Sequence, residues 1–202
     1  MKILVIGGTG RTGQALAALA LAKGHQVTIF GRRQPLNLAA ESSFMTGDPQ
    51  QESDLQIAIP GHNAVVSSLG QRSARDAGVL GRSAMATVAV MKNLNVRRYI
   101  VVSQGLLFPS SNPLIWLLRL ILGRHVADSR AMENVVAGSD LDWTIVRPSR
   151  LTMGKNSRGY KIMAGGKPNG SISMDYMDLA ACLLDIAEKR SHISEIVGVT
   201  SA

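Results

Sequence analysis

The sequence predicts an α/β fold of the doubly wound kind, a mostly parallel sheet with helices on both faces. Three observations carry that expectation. Short apolar or β-branched runs alternate with stretches of helical periodicity as far as residue 146. The first run ends in the glycine cluster GGTGRTG and passes straight into a helical pattern. No repeat, low-complexity linker or shift in composition interrupts the 202 residues, so one domain over residues 1–202 is expected.

Lys2–Ile6 (KILVI) is a continuous apolar run, as a parallel strand covered on both faces requires. Residues 11–23 carry apolar side chains at helical spacing, and Gly24 is placed to end that helix. QVTIF at 26–30 reads as the second strand and Ser43–Thr46 as a short third. Residues 49–59 read as a helix stopped by Pro60 and Gly61. NAVVSSL at 63–69 is the next strand, 76–94 a long helix, and RYIVVS at 98–103 a further strand. The apolar stretch PLIWLLRLILG at 113–123 precedes a helix from about 126 to 137, and DWTIV at 142–146 forms a sixth strand. The remainder reads as a short hairpin, a helix begun by Asp175, and a last strand at 195–199.

Composition excludes several classes. With 46% hydrophobic and 18% charged residues, the chain reads as a soluble globular protein. The 113–123 stretch contains Arg119 and is shorter than the roughly 20 residues that span a bilayer, so no membrane partner is expected. No basic leader precedes the first strand, and the single cysteine, Cys182, fits a reducing cytoplasm. Cys182 lies in the apolar run 179–184, the setting of a buried core thiol. The net charge of +8 is spread over Arg32–Arg33, Arg72–Arg75–Arg82, Arg97–Arg98, Arg147–Arg150 and Lys155–Arg158–Lys161. Aromatic residues are only 4%, too few for a nucleic-acid stacking platform, and no nucleic-acid partner is expected. A small anionic ligand or a plainly basic surface accounts for the charge. The four histidines show no metal-ligand spacing, so no metal site is expected.

The glycines at the end of the first strand have a specific use. They read as Gly8-x-Gly10-x-x-Gly13 or as Gly7-x-x-Gly10-x-x-Gly13. One makes a tight turn, one lets backbone approach a pyrophosphate, and one lets helix and strand pack closely. The phosphates then rest on the free N–H groups at the helix start. This is the opening of a Rossmann-type dinucleotide fold. The second strand ends Phe30-Gly31-Arg32-Arg33, with no carboxylate before Glu41 to take a ribose 2′-hydroxyl. Guanidinium groups suit a 2′-phosphate, so NADP(H) is expected in preference to NAD(H), with Arg32 ahead of Arg33. The carboxyl ends of the other strands place Asp48, Leu69–Gly70, Ser103 and the segment around Pro148 along the same ligand.

The ordered set GGTGRTG, VTIFGRR, Gly47-Asp48, NAVVSSLG, YIVVSQG and AMENVVAGSDLDWTIVRPSRL resembles the atypical short-chain dehydrogenase/reductases of the NAD(P)H-binding, NmrA-like group. Within that group the flavin reductase/biliverdin-IX-beta reductase branch is the most similar. The resemblance runs over nearly the whole chain. It implies that Thr9, Gly10, Arg11, Thr12, Arg32, Asp48, Leu69, Gly70, Ser103, Gln104, Pro148, Ser149, Arg150 and Leu151 contact NADP(H), to which the glycine and strand-end readings add Gly7, Gly13 and Arg33.

The catalytic Tyr-x-x-x-Lys pair of short-chain dehydrogenases is missing. Tyr99, Tyr160 and Tyr176 are followed four residues later by Ser103, Ala164 and Ala180. The usual tyrosine and lysine fall near His125 and Ser129, and the histidine that some flavin/biliverdin reductases carry falls near Arg150. Ordinary alcohol oxidation and sugar-nucleotide epimerisation are not expected. Hydride transfer to a small planar acceptor, a flavin, quinone or tetrapyrrole, asks mainly for orientation. Ser103 is the candidate proton donor, or else a hydroxyl that contacts the cofactor. His125 reads as a general acid or as structural. A non-catalytic NADP(H) sensor is the alternative function. Residues 106–124 read as a lid, as a contact between subunits, or most simply as core packing.

Overall fold

The computed structural model describes residues 1–35, 38, 41–71, 76–153 and 158–202. Arg72, Arg75 and Lys155 of the basic clusters lie outside the described residues. The strands are β1 (Lys2–Ile6), β2 (Gln26–Gly31), β3 (Ser43–Thr46), β4 (Ala64–Ser67), β5 (Arg98–Val102), β6 (Asp142–Pro148), β7 (Arg150–Thr152), β8 (Tyr160–Ala164), β9 (Ser173–Asp175) and β10 (Glu195–Ser201). Eight of them form one sheet in the order β3-β2-β1-β4-β5-β6-β10-β8. Seven run parallel; β8 closes the edge antiparallel to β10. The chain leaves β1 toward β3 on one side and returns through β4 on the other, which opens a crevice at the carboxyl ends.

Alternation along each strand feeds two cores. Ile3, Val5, Val27, Ile29, Val66 and Ile100 face one layer with α1 (Arg11–Ala22) and α6 (Tyr176–Lys189). Leu4, Ile6, Phe30, Val65, Tyr99 and Ile145 face the other, with α2 (Glu52–Ala58), α3 (Val79–Asn93) and α5 (Gly123–Ala137). A strand buried on both faces has no reason to alternate with polar residues, hence the unbroken apolar runs. Cys182 is fully buried in the first core. Arg98 is buried too. It donates to the carbonyls of Asp142, Ile186 and Ser191 and is no part of a basic surface.

The elements depart from the sequence pattern where local backbone chemistry intervenes. The helix expected at 49–59 begins only at Glu52, because Asp48 starts a turn that takes the N–H groups of Gln50 and Gln51. The helix expected at 76–94 begins at Val79, since Gly78 sits at φ 81. Among the described residues the expected late hairpin does not form. β7 pairs in parallel with β9, and β8 crosses to the edge of the main sheet. Parallel partners cannot be joined by a tight turn. The stretch at 113–123 forms its own helix, α4 (Pro113–Ile121), capped by Asn112 Oδ1 on the N–H of Leu114. None of its residues is fully buried, so core packing accounts only for the inner side of this helix and for Phe108, which is buried ahead of it.

Candidate functional site

Gly7 turns the chain out of β1 at φ 76, and its N–H donates to the Phe30 carbonyl at 3.2 Å. A Cβ there would stand 2.9 Å from the Leu69 nitrogen, so the loops after β1 and β4 meet backbone to backbone. Gly10 closes the turn onto the Gly7 carbonyl at 3.0 Å and caps α1 with extended backbone. No side chain caps α1, and no acidic residue lies in its first turn. Its opening N–H groups therefore remain for a ligand. Gly13 faces inward: a Cβ would meet the Gly8 Cα at 2.5 Å, so the helix rests directly on the loop.

A groove of about 1030 Å³ follows the carboxyl ends of β3, β2, β1, β4 and β5. At the β2–β3 end it is lined by Gly31, Arg32, Arg33, Asp48, Pro49 and Gln50. Both arginines are exposed there. Asp48 Oδ1 accepts from the Gln50 backbone N–H at 3.0 Å, which fixes the carboxylate at the groove wall. Gly7, Thr9, Gly10, Arg11, Thr12, Ser68, Leu69 and Gly70 line the middle. At the β5 end stand Val102, Ser103, Leu151 and Tyr176. The Ser103 N–H donates to the Val146 carbonyl at 2.7 Å, and its Oγ is buried with no hydrogen-bond partner among the described residues.

Other expected residues stand outside the groove. Gly13 supports it from below. Gln104 turns away, its Nε2 donating to Ser129 Oγ at 2.8 Å and to the His125 carbonyl at 3.1 Å. Pro148 and Ser149 are buried, with the Pro148 carbonyl closing against Gly105. Arg150 is exposed in β7, and only Leu151 of that segment reaches the groove.

Tyr176 was not anticipated from the sequence. It opens α6 directly after the Asp175 cap, far along the chain from the glycines, and the Arg11 guanidinium lies 5.6 Å over its ring. The other tyrosines are engaged elsewhere. Tyr99 sits in the core, where burial pushes its phenol up to about 12. Tyr160 donates to Asp185 Oδ2 at 2.8 Å, and burial together with that bond raises it as well. Phe30, Ser68, Gln71 and Val79 also line the groove unanticipated; each adjoins a glycine or strand end already singled out.

Beside the β5 end, Arg147 grips Glu133 through two hydrogen bonds of 2.9 and 2.6 Å, with its guanidinium 4.7 Å over the Phe108 ring. Among the described residues no three His, Cys, Asp or Glu side chains are placed to hold a metal ion.

A glycine cradle that side chains would fill, an uncapped helix start above it and a buried unpartnered hydroxyl beyond it suit an extended, doubly phosphorylated nucleotide. Fold and groove together define a dinucleotide-binding α/β protein. The chain belongs to the NAD(P)H-binding family, whose sequence pattern matches residues 7–190. The backbone is similar to that of a Streptococcus pneumoniae protein proposed to be an NADH-flavin reductase, at 23% identity over 100% of both chains and a TM-score of 0.84. It is similar to a short-chain dehydrogenase/reductase from Veillonella parvula in complex with NADP, at 20% identity over 99% of this chain and 94% of that one, TM-score 0.79. A Rossmann-fold NAD(P)-binding family protein from Shigella flexneri matches at 23% identity over 99% and 93%, TM-score 0.75. Likeness at these identities establishes the shared Rossmann-type fold.

Proposed function

We propose that this protein is an NADPH-dependent reductase that passes hydride to a flat, conjugated acceptor such as a flavin, a quinone or a tetrapyrrole. The observation that carries this reading is the unequal composition of the groove. Two arginines stand at one end, an uncapped helix start in the middle, and an apolar wall with hydroxyls at the other. Arg32 and Arg33 hold the 2′-phosphate through charge-assisted hydrogen bonds, and Asp48 borders the adenine side. The segment from Gly7 to Thr12 carries the pyrophosphate on backbone N–H groups. Leu69 and Gly70 leave backbone free to lie against the cofactor. Ser103 Oγ offers a hydrogen bond at the nicotinamide end. Gln104 and the segment from Pro148 to Arg150 act from behind that wall, and Leu151 from within it. The bound dinucleotide supplies the hydride, and the chain supplies orientation and exclusion of water. The lone buried thiol suits a cytoplasmic location, and one eight-stranded sheet with a core on each face suits a single NAD(P)-binding domain over residues 1–202.

One observation favours a second reading, an NADP(H) sensor without turnover. The positions nearest the usual tyrosine and lysine, His125 and Ser129, are tied to Gln104 and do not line the groove. Following NADPH absorbance with FMN, a quinone and a tetrapyrrole separates the two. Turnover with any acceptor supports the reductase; tight binding without turnover across the panel replaces it with the sensor. Arg32→Ala should weaken NADPH by ~10–100-fold, from the ~1.5–3 kcal/mol of a charged hydrogen bond, and leave NADH nearly unchanged. Equal losses for the two nucleotides would remove the 2′-phosphate assignment.

A further inference from the structure

The outer face of α4 is apolar throughout. Leu114, Trp116, Leu117, Leu120 and Ile121 are between 46% and 69% exposed, and at 3.6 residues per turn they share about half the circumference. A helix that simply faces water carries polar side chains there. The one charge of α4, Arg119, turns inward, donating to the carbonyls of Leu106 and Phe108. It fastens the helix to the preceding turn and leaves the outer face without a charge.

The exposed charge of two segments that leave the sheet at its carboxyl end has one sign. From residue 103 to 138 the only carboxylates are Asp128 and Glu133, both buried. Asp128 is occupied by the N–H groups of Leu80 and Gly81, and Glu133 by Arg147. Arg124 and Arg130 are exposed. The excursion that follows β6 contains no Asp or Glu from 143 to 174 and exposes Arg150, Arg158 and Lys161. It also exposes Met153 and Ile172, at 73% and 75%. Both segments leave the sheet at its carboxyl end, the end that carries the groove.

We propose that α4 is a membrane-docking helix that lies in the headgroup layer of an anionic phospholipid bilayer. Trp116 and the leucines enter the acyl boundary while Arg124 and Arg130 meet lipid phosphate. Among the described residues no helix is long and apolar enough to cross a membrane, but a surface-lying helix needs no such length. A second copy of the chain is the competing occupant, and area disfavours it. The nine residues of α4 extend about 13.5 Å, and half of a ~10 Å-wide cylinder of that length offers ~200 Å². A stable interface takes ~800 Å² from each partner. The inference is independent of the hydride acceptor.

The full chain carries its own reporter. Trp143 is buried, only 9% exposed, so Trp116 is the exposed tryptophan. Phosphatidylglycerol-containing vesicles at low salt should sediment the protein, shift Trp116 emission to the blue and, with brominated acyl chains, quench it. Leu120→Glu should weaken partition by ~10–100-fold, as loss of one buried leucine requires. Arg124→Glu should weaken it by at least ~5-fold on anionic vesicles. Both variants should bind NADPH like the parent, which shows that the fold is kept. Failure to sediment with anionic vesicles at low salt overturns the proposal. So does a blue shift that needs no vesicles and grows with protein concentration, which would assign the face to a second copy.

Discussion

Gly13 and Gly10 separate what the glycine turn does for the fold from what it does for a ligand. In Gly13→Ala the new methyl meets the Gly8 Cα at 2.5 Å, the Gly7 carbonyl at 2.8 Å and Ser68 Oγ at 2.9 Å. The first two are backbone and cannot swing aside. The nearest lies about 0.9 Å inside an ordinary 3.4 Å contact, so α1 and the loop must part by close to that distance. Overpacking of this kind costs ~1–3 kcal/mol. At ~2–4 °C per kcal/mol for a chain of this size, Tm should fall by ~2–12 °C. Gly10→Ala differs on both counts. Gly10 has φ −81, open to any residue, and its Cβ would meet only the Gly7 carbonyl, at 3.3 Å. Tm should move by less than ~2 °C, since the change at the cap costs only ~0.5 kcal/mol. The methyl, however, enters the groove that Gly10 lines, and NADPH affinity should fall by tenfold or more, ~1.4 kcal/mol. Calorimetric melting and NADPH titration on the same preparations read both effects. A Gly10→Ala variant that binds NADPH like the parent, or a Gly13→Ala variant that melts like it, refutes this division of labour.

Two further predictions concern stability. Asp128 of α5 accepts the backbone N–H groups of Leu80 and Gly81 at the start of α3, so Asp128→Ala strands two buried donors. At ~1–3 kcal/mol for each stranded donor, the urea midpoint should drop by one molar or more at an m-value of ~2 kcal/mol/M; an unchanged midpoint would show that the cap contributes nothing. In alkali, burial holds Tyr99 up to about 12 and also raises Cys182 above its ordinary 9.0. The unfolded chain releases those protons first, so stability declines as pH rises past about 9, by up to ~1.4 kcal/mol per pH unit for each group. Urea midpoints measured from pH 7 to 10.5 check this, and a flat profile contradicts it.

The part of the fold that local chemistry dictates was readable residue by residue. KILVI could only be a strand buried on both faces, and Gly7 to Gly13 could only be a turn pressed between backbone and helix. The place of Arg32 and Arg33 in the groove lining was readable from strand order, because a parallel strand delivers its next residues to the carboxyl edge of the sheet. Tyr176 and the pairing of β7 with β9 were not readable, because they depend on where a distant segment returns. Nothing in SRLTM specifies a parallel partner at Ser173–Asp175. The orientation of Gln104 depends on packing in the same way, because the turn that follows β5 aims its side chain at α5, outside the groove lining. The sequence of α4 was ambiguous in itself, since an apolar helix looks the same whether a core or something outside the chain covers it.

The ties at the β5 end bear on the kind of chemistry this groove supports. Gln104 binds Ser129 and the His125 carbonyl, Arg147 grips Glu133 and stacks on Phe108, and Gly105 abuts the Pro148 carbonyl. Together they lock the segments after β5 and β6 to α5. The side chains of Gln104, Ser129, Arg147 and Glu133 are thereby committed to holding position, and His125, held through its backbone carbonyl, is not among the residues that line the groove. Among the described residues Ser103 and Tyr176 are left as the hydroxyls lining that end, with no lysine four residues beyond either. On the reductase reading proposed above, such a wall orients a flat ring without a tyrosine–lysine pair to hand over a proton. The acceptor then takes hydride without strong help from a protein acid, which favours conjugated rings over simple carbonyls.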